Sequence, residues 1–438
     1  MNTMRGCVEG FRTTSRPRAA RVALGVLIVG AAALMVAACS SSSSSSPAAA
    51  GGSAAASGGS SAAAGGSGSS DTSALAGAVT KAAAIPDFAQ YAAGYGGKLS
   101  SISALKGKKI MIIPGSSALA ACTEIAQADA ALATAAGMVP TIFANQGTTA
   151  EHNTAIENAI HQGYSAINAG CAYDPTTNAP AIAQAQKAGL VFSLYGVTQQ
   201  QADQVKIPYV NVDPYVLDAQ LAVDQAVSQH NGQPFDAIGI TTNSLSATKL
   251  MHDALVAELT KTCPKCTYSD VNVETPKWAT DVAGTVSSQL LQHPNTTVLF
   301  PYYAGMMTYV LQGIQSAHKT NIKAYLNFGG GTPFVKIQTA DPGKSIVQSD
   351  IGGYPPWTGY LMFLDTARAM EKLPALGLDK AIGPDRIITP DNAAEVLQTG
   401  GWGTDWVNGF RSLLGLPALS GAALTAAATL NGSMTGTP

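Results

Sequence analysis

The chain contains 438 residues, carries a formal net charge of −2, and only 12% of its residues are charged. This length exceeds one ordinary domain, and the near-neutral balance excludes a protein that holds nucleic acid through a strongly basic surface. The first feature along the chain is an uncharged run from Val22 to Ala38, which five arginines precede. A basic segment followed by an apolar one is the layout of an export signal.

The end of the apolar run, Val36–Ser40 with the letters V-A-A-C-S, resembles the lipobox of bacterial lipoproteins. The resemblance implies a signal peptide over 1–38 and a lipid anchor on Cys39, at the extracytoplasmic face of the cell membrane. The alternative is a membrane-spanning anchor, since about 20 apolar residues span a bilayer. Residues 39–71 are almost entirely Ser, Gly and Ala, which predicts a flexible tether and favours the lipid anchor. Removal of 1–38 takes away five arginines and one glutamate and changes the net charge to −6, which again excludes a nucleic-acid partner.

From Lys108 onward, short β-branched runs alternate with Ala-rich amphipathic segments. The predicted strands are Ile110–Ile113, Val139–Phe143, Ala166–Ala169, Leu190–Leu194, Pro208–Val212, Ala237–Thr241, Thr267–Val273, Thr297–Phe300 and Lys323–Asn327. The predicted helices are Ala118–Ala136, Glu151–His161, Asn178–Lys187, Val216–Gln229, Ala247–Lys261, Asp281–Gln292 and Gly305–His318. This alternation predicts two doubly wound α/β lobes with parallel sheets, whose ligands lie at the carboxyl ends of the strands.

The order of these elements resembles the ribose-binding-protein-like family, the type I periplasmic solute-binding proteins of ABC importers. The resemblance covers roughly Lys108–Leu373 and begins with the family's opening strand, Lys108–Pro114. Asn327–Gly330 resembles the family's G-F-D-G loop, and Gln348–Asp350 resembles its second crossing between lobes, before a long returning helix over Gly359–Glu371. The combined order and spacing carry the resemblance, since each match alone is short.

The resemblance implies two Rossmann-like lobes joined by three hinge crossovers, near Asn211–Pro214, Gln348–Asp350 and Ala381–Ile388. The predicted divisions are a lead-in at 72–106, a first lobe at 107–212 plus 350–380, a second lobe at 213–349 plus 381–415, and a tail at 416–438. Closure of the lobes around a small molecule is then the expected motion.

Trp278 stands where the family has a stacking aromatic, so the resemblance implies a ligand contact; the alternative is a tryptophan at the rim that packs on its lobe. Most of the family's charged sugar contacts are absent, since Tyr195, Tyr302 and Tyr303, and Gly329 occupy their places. Tyrosine combines an apolar face with a polar group, so a sugar remains one expectation and an apolar or aromatic solute is its rival. The predicted ligand-binding residues are Ser117, Tyr173, Tyr195, Trp278, Tyr302, Tyr303, Phe328, Gly329 and Asp350.

Four cysteines follow Cys39, and an oxidising compartment predicts that they form disulfides. Cys263 and Cys266 form a short local pair; a metal would need two further ligands that no paired Cys or His offers, so no metal is predicted. Cys122 and Cys171 both belong to the ligand-facing edge of the first lobe, which predicts a second bridge between them.

No catalytic constellation stands out, because the sequence contains neither H-E-x-x-H nor G-x-S-x-G. The main prediction is therefore a monomeric solute-binding lipoprotein, without enzymatic activity or cofactor, that delivers a small-molecule ligand to an ABC permease. The alternative is a ligand-sensing module of the same fold that serves a membrane signalling partner. A secreted hydrolase is the least favoured class.

Overall fold

The computed structural model describes residues 71–429, apart from 172, 246, 327, 330–331, 378–379 and 381. The predicted signal peptide, Cys39, the tether up to residue 70 and the last nine residues of the predicted tail lie outside the described residues. Of the helices that the structure describes, none is both long enough and apolar enough to cross a membrane.

The first sheet is wholly parallel and follows two short helices, α1 (Thr72–Ala82) and α2 (Phe88–Ala92). Its elements are β1 (Lys109–Pro114), α3 (Ala120–Ala135), β2 (Val139–Ile142), α4 (Thr149–His161), β3 (Ala166–Gly170), α5 (Ala179–Lys187), β4 (Val191–Tyr195), α6 (Gln199–Gln204) and β5 (Tyr209–Asn211). The strand order is β2-β1-β3-β4-β5, and every neighbouring pair is parallel. The predicted first doubly wound lobe is confirmed.

The second sheet is also parallel, with the order β7-β6-β8-β9. Its elements are α7 (Tyr215–Gln229), β6 (Asp236–Thr241), α8 (Ala247–Thr262), β7 (Thr267–Asn272), α9 (Trp278–Gln292), β8 (Thr296–Pro301), α10 (Ala304–Ser316), β9 (Lys323–Ala324) and α11 (Thr332–Ala340). One continuous apolar core joins this sheet to its helices, from Ala219 to Leu326. The second lobe is therefore confirmed as well.

The hinge contains a separate antiparallel pair of strands. The remaining elements are β10 (Asp350–Gly353), α12 (Pro355–Met370), β11 (Asp385–Ile388), α13 (Ala393–Thr399), α14 (Asp405–Leu413) and α15 (Gly421–Thr429). Asp350 pairs with Ile388 in the β10–β11 register, and an isolated parallel bridge joins Val212 to Ile382. The three expected crossovers thus lie beside one another.

Local sequence explains how the returning helix α12 reaches the first sheet. Gly359 faces α3, where an added Cβ would lie 2.4 Å from the Ile125 carbonyl oxygen and 2.7 Å from the Ala128 Cβ. The glycine therefore lets the two helices approach closely. On the opposite face of this sheet, α4 begins with a capping box, in which the Thr148 hydroxyl accepts from the Glu151 N–H at 3.2 Å.

The C-terminal segment differs from its predicted divisions. We assigned 381–415 to the second lobe, but Trp402, Trp406 and Phe410 belong to the first-lobe core, together with Trp357 of α12. Their rings need large apolar partners, and the aromatic start of α12 supplies them. The described part of the predicted tail is also packed, because the Tyr354 hydroxyl donates to the buried Ala428 carbonyl at 2.6 Å.

Candidate functional site

The carboxyl ends of the strands in both sheets carry most of the predicted ligand-binding residues. In the first lobe, Ser117 follows β1, Tyr173 follows β3 and Tyr195 ends β4. In the second lobe, Tyr302 and Tyr303 follow β8, and the segment with Phe328 and Gly329 follows β9. Parallel strands bring such ends to one edge of a sheet, where doubly wound folds bind ligands.

A polar network fixes the loop that follows β1. The Ser117 N–H donates to the Asn145 carbonyl at 2.9 Å, and the Asn145 N–H donates back to the Ser117 hydroxyl at 3.1 Å. The Asn145 side-chain amide donates to the Pro114 carbonyl at 2.8 Å, while His152 Nε2 lies 3.0 Å from the Gly115 carbonyl oxygen. Burial lowers the pKa of His152, so this histidine is neutral and holds the loop by hydrogen bonding rather than by charge.

Tyr173 carries a buried hydroxyl without a partner among the described residues. The side chain is 1% exposed, and its ring packs edge-on against His152 with centroids 4.9 Å apart. Burial also raises the pKa of this phenol, so the group stays protonated and able to donate. An unsatisfied buried hydroxyl costs free energy, which a hydrogen-bonding ligand group would recover.

Both predicted disulfides are confirmed. Cys122, in the first turn of α3, is bonded to Cys171, which follows β3 with a φ of 63°. Cys263 is bonded to Cys266 between α8 and β7. The first bridge ties a helix start to a strand end beside Tyr195, so it rigidifies the ligand-facing edge of the first lobe.

Four rings form a continuous series along the facing edge of the second lobe. Trp278 stacks on Tyr303 with centroids 6.1 Å apart, and Tyr303 meets Phe328 edge-on at 6.2 Å. Phe328 in turn contacts Tyr215 at 5.1 Å. We call these four residues the aromatic edge. Tyr215 was not among the predicted site residues, although its place directly after the Val212–Pro214 crossing could have indicated it.

Trp278 is integrated in the second lobe more deeply than a direct ligand contact requires. Its side chain is 6% exposed, and the indole N–H donates to the Val273 carbonyl at 3.0 Å. An added Cβ on Gly305 would lie 2.6 Å from the indole ring, so the ring also fills the space above α10. This is the packing that we gave as the alternative to ligand contact.

Tyr302 and Tyr303 point in different directions. Tyr302 is fully buried, and its hydroxyl lies 3.1 Å from the hydroxyl of Tyr268 on β7. The Tyr303 hydroxyl lies 3.0 Å from that of Thr248, at the start of α8. The structure therefore separates Tyr302 from the aromatic edge, since successive side chains at a strand end face opposite sides.

Buried carboxyl groups lie where the crossovers meet. The Tyr195 hydroxyl donates to Asp213, and both side chains are buried. Asp218 and Asp385 interact electrostatically there, and burial raises the pKa of Asp218 to about 8, that of Asp213 to about 6 and that of Asp385 well above its ordinary value. A shared proton is needed there because two adjacent buried carboxylates repel. Asp218 and Asp385 are not among the predicted site residues, because nothing in their spacing relates them.

The other two predicted residues belong to the hinge. Gly329 has a φ of 72°, a conformation that favours glycine, and its N–H donates to the Ile351 carbonyl at 3.0 Å. Asp350 is buried in β10. Within the described ranges, no group of three or more His, Cys, Asp or Glu side chains is placed to hold a metal ion.

The arginines of the described chain donate hydrogen bonds to main-chain carbonyl groups outside the candidate site. Arg368 donates to the Gly96 and Pro374 carbonyls, and Arg411 donates to the Pro417 carbonyl at 2.7 Å. Arg386 donates to carbonyls at Ala83 and Gly401. Lys249, the cation nearest to the start of α8, is exposed and pairs with Asp253 at 2.7 Å. The candidate site therefore combines aromatic faces with hydroxyl and carboxyl groups.

Comparison with known proteins identifies a family and several solved structures to which this chain is similar. The family model described as "Periplasmic binding protein domain" matches residues 111–370. No curated protein matches the chain at a significant level. Among solved structures, an ABC transporter solute binding protein from Agrobacterium vitis with bound allitol is 18% identical, with a TM-score of 0.58 over 67% of this chain and 99% of that chain.

Two further solved structures share the fold. An ABC sugar transporter subunit from Rhodobacter sphaeroides is 18% identical, with a TM-score of 0.57 over 66% of this chain and 100% of that chain. The 5-methylthioribose transporter solute binding protein from Thermotoga lettingae, in complex with 5-methylthioribose, is 16% identical, with a TM-score of 0.56 over 74% of this chain and 99% of that chain. At these identities the likeness concerns the fold.

Proposed function

The chain belongs to the periplasmic binding protein family, and from this premise we propose that it captures a small molecule between its lobes and delivers it to an ABC-type importer. The observation that carries the proposal is the pair of ligand-facing edges, one polar and one aromatic, at the carboxyl ends of two parallel sheets joined by a hinge. Closure of such lobes encloses the ligand and changes the surface that a membrane partner meets. The role proposed is binding, without a catalytic step.

Ser117, Tyr173, Tyr195, Tyr303, Phe328, Gly329 and Asp350 are the proposed site residues, with Trp278 supporting Tyr303 from behind. Tyr173 supports hydrogen bonding, because its buried hydroxyl has no partner among the described side chains. Tyr303 and Phe328 support stacking on a ring face. Sugars and polyols, such as the allitol and 5-methylthioribose named for the solved structures, fit the first requirement.

The polar groups of the site already make hydrogen bonds within the protein, and this favours a second ligand class. The hydroxyl groups of Tyr195 and Tyr303 bond to Asp213 and Thr248, so fewer groups remain to bind sugar hydroxyls. The described arginines donate to carbonyls elsewhere, which disfavours anionic solutes. An uncharged solute with an apolar ring face would use the aromatic edge most fully.

Mass spectrometry of small molecules released from the denatured pure protein, followed by titration calorimetry, tests both classes. Allitol, D-arabinose and 5-methylthioribose represent the first class, and phenyl β-D-glucopyranoside paired with D-glucose isolates the effect of an apolar ring. We expect one-to-one binding of at least one probe. The absence of both a co-purified molecule and any binding would contradict the proposed function.

We also propose that Cys39 carries the lipid anchor and that the protein acts as a monomer at the extracytoplasmic face of the membrane. The V-A-A-C-S sequence and the Ser/Gly/Ala-rich segment after it support this proposal. In a Cys39→Ala variant we expect the protein to leave the membrane fraction, with Cys7→Ala as the matched control that stays. Persistent membrane attachment of the Cys39→Ala protein would show that the anchor lies elsewhere.

A further inference from the structure

Besides the three hinge crossovers, the chain passes between the two lobes twice more, once near each end of the described residues. At the N-terminal end, α1 packs on α7, with Leu75 and Val79 against the second-lobe core. The chain then passes to the first lobe, where Phe88 and Tyr95 are buried in the core. Residues 83–87 connect the two helices, and we call them the N-terminal strap.

The C-terminal end follows the same course. After β11, helix α13 packs on α11, with Ala393 and Val396 beside Val335. Helix α14 then packs on α12 in the first lobe, where Trp406 stacks on Trp357 at 5.7 Å. Residues 400–404 connect α13 to α14, and we call them the C-terminal strap.

One side chain ties both straps to the hinge. The Arg386 guanidinium, on the hinge strand β11, donates from Nε to the Ala83 carbonyl at 2.8 Å and from Nη1 to the Gly401 carbonyl. Its Nη2 pairs with the Glu395 carboxylate of α13 at 2.6 Å, and the arginine side chain is only 3% exposed. A buried guanidinium with several charge-assisted bonds is a strong and geometrically specific link.

The two straps also contact one another. The Asn392 side-chain amide donates to the same Ala83 carbonyl at 3.2 Å, and an added Cβ on Gly403 would lie 3.4 Å from a methyl group of Ile85. Beyond the straps, the Leu99 N–H donates to the Leu413 carbonyl at 2.7 Å. The end segments therefore form one connected layer over the hinge.

We propose that the two straps are a brace that limits how far the lobes open, with Arg386 as its positioning residue. Each strap spans six consecutive Cα–Cα intervals between helices that pack on different lobes. A fully extended segment of this kind is at most about 20–22 Å long. Hinge strands alone absorb large dihedral changes, whereas short straps with packed helices at both ends resist separation. Both straps and Arg386 lie outside the family match at 111–370, and the brace does not depend on which ligand binds.

The test is a distance measurement between the lobes of the full chain without ligand. Nitroxide labels at Lys187→Cys on α5 and Leu291→Cys on α9, in a Cys7→Ser/Cys39→Ala background, report the separation by double electron–electron resonance, since both positions are exposed. Arg386→Ala, and separately an eight-residue Gly-Ser insertion between Ala84 and Ile85, should shift the distances to longer values and broaden them.

Two matched controls isolate the brace. Arg411→Ala removes a guanidinium that bonds to Pro417 within the C-terminal segment, and the same insertion after the exposed Thr320 lengthens the loop between α10 and β9 inside the second lobe. Both should leave the distances unchanged. The insertion between Ala84 and Ile85 keeps the test decisive where Arg386→Ala does not fold. Unchanged distances between the labels in every folded brace variant would overturn the proposal. Ligand binding is measured in a separate experiment, so this result is distinguishable from a failure of the proposed function.

Discussion

The two lobes share a topology but build their interiors differently. Beneath its ligand-facing edge the first lobe contains a buried polar network, in which the Asn168 amide donates to Asp129 at 2.7 Å and the Thr366 hydroxyl donates to Ser193 at 3.1 Å. The second lobe presents the aromatic edge, and its described core between α7 and β9 is mainly apolar. Buried polar groups are directional, whereas ring faces supply area and tolerate varied partners.

From this difference between the lobes we expect each lobe to contribute differently to ligand binding. The first-lobe edge, held by the Cys122–Cys171 disulfide and by the Asn145 network, is suited to orient a ligand. The aromatic edge is suited to cover it during closure. Each of the following experiments tests a property assigned to one of the two lobes.

The largest expected effect is the contribution of the buried Asp129, in the first lobe, to the pH dependence of stability. Burial raises the pKa of Asp129 to about 8, so the folded state holds a proton that the unfolded chain releases near its ordinary value. Stability is then complete at acidic pH and is lost as the pH rises towards 8, by up to about 1.4 kcal/mol per pH unit. Asp129→Asn should reduce the pH dependence of urea-derived unfolding free energies between pH 4 and 8, whereas Asp281→Asn, at an exposed second-lobe site, should leave it unchanged. An unchanged slope in Asp129→Asn would refute this assignment.

Loss of the Cys122–Cys171 disulfide should rank second. This disulfide joins residues 49 positions apart, for which the chain-entropy model gives a stabilisation of about 4 kcal/mol. For Cys263 and Cys266, which are 3 positions apart, the same model gives about 2 kcal/mol. Denaturant unfolding of the two double Cys→Ser variants measures both losses. Equal losses would mean that the first-lobe edge gains no special constraint from its bridge.

Removal of the aromatic edge should weaken binding more than it weakens the fold. Tyr303→Leu removes the ring that is proposed to stack on the ligand, and an aromatic pair contributes about 0.5–1.5 kcal/mol, so affinity should fall by about 2–12-fold. Tyr325→Leu is the matched control, since that buried tyrosine bonds to Gln229 at the far end of α7. Calorimetry with the identified ligand distinguishes them. The same affinity in both variants would remove the aromatic edge from the site.

The smallest effect concerns the free hydroxyl of Tyr173. Tyr173→Phe should leave the ligand-free protein equally stable or up to about 1 kcal/mol more stable, because it removes a buried group without a described partner. Tyr164→Phe should instead lose stability, since that hydroxyl donates to Thr141 at 2.8 Å. If Tyr173→Phe also binds the ligand unchanged, then this hydroxyl does not orient it.

Much of the architecture was predictable because alternating strands and helices leave a clear pattern in the sequence. Predicted strands such as Ile110–Ile113 and Ala237–Thr241 agree with β1 and β6 within one residue at each end. The short helices α6 and α13 were missed, since six or seven residues carry too little periodicity to detect.

The candidate site was less predictable, because side-chain direction depends on packing. The sequence correctly placed Tyr302 at the end of a strand, but only the structure shows that Val273 and Tyr268 engage the polar groups of Trp278 and Tyr302. Asp218 and Asp385 are far apart in the chain, and a single sequence holds no sign that they meet. The packing of Trp406 on the first lobe is hidden for the same reason.

The packing of α1 on α7 has a mechanical consequence. Residue 71 leads directly into α1, whose Leu75 and Val79 pack against the second-lobe core. A pull on the preceding chain is therefore delivered to the second lobe. With the proposed anchor at Cys39, the second lobe is then the half of the molecule whose distance from the membrane the tether limits directly.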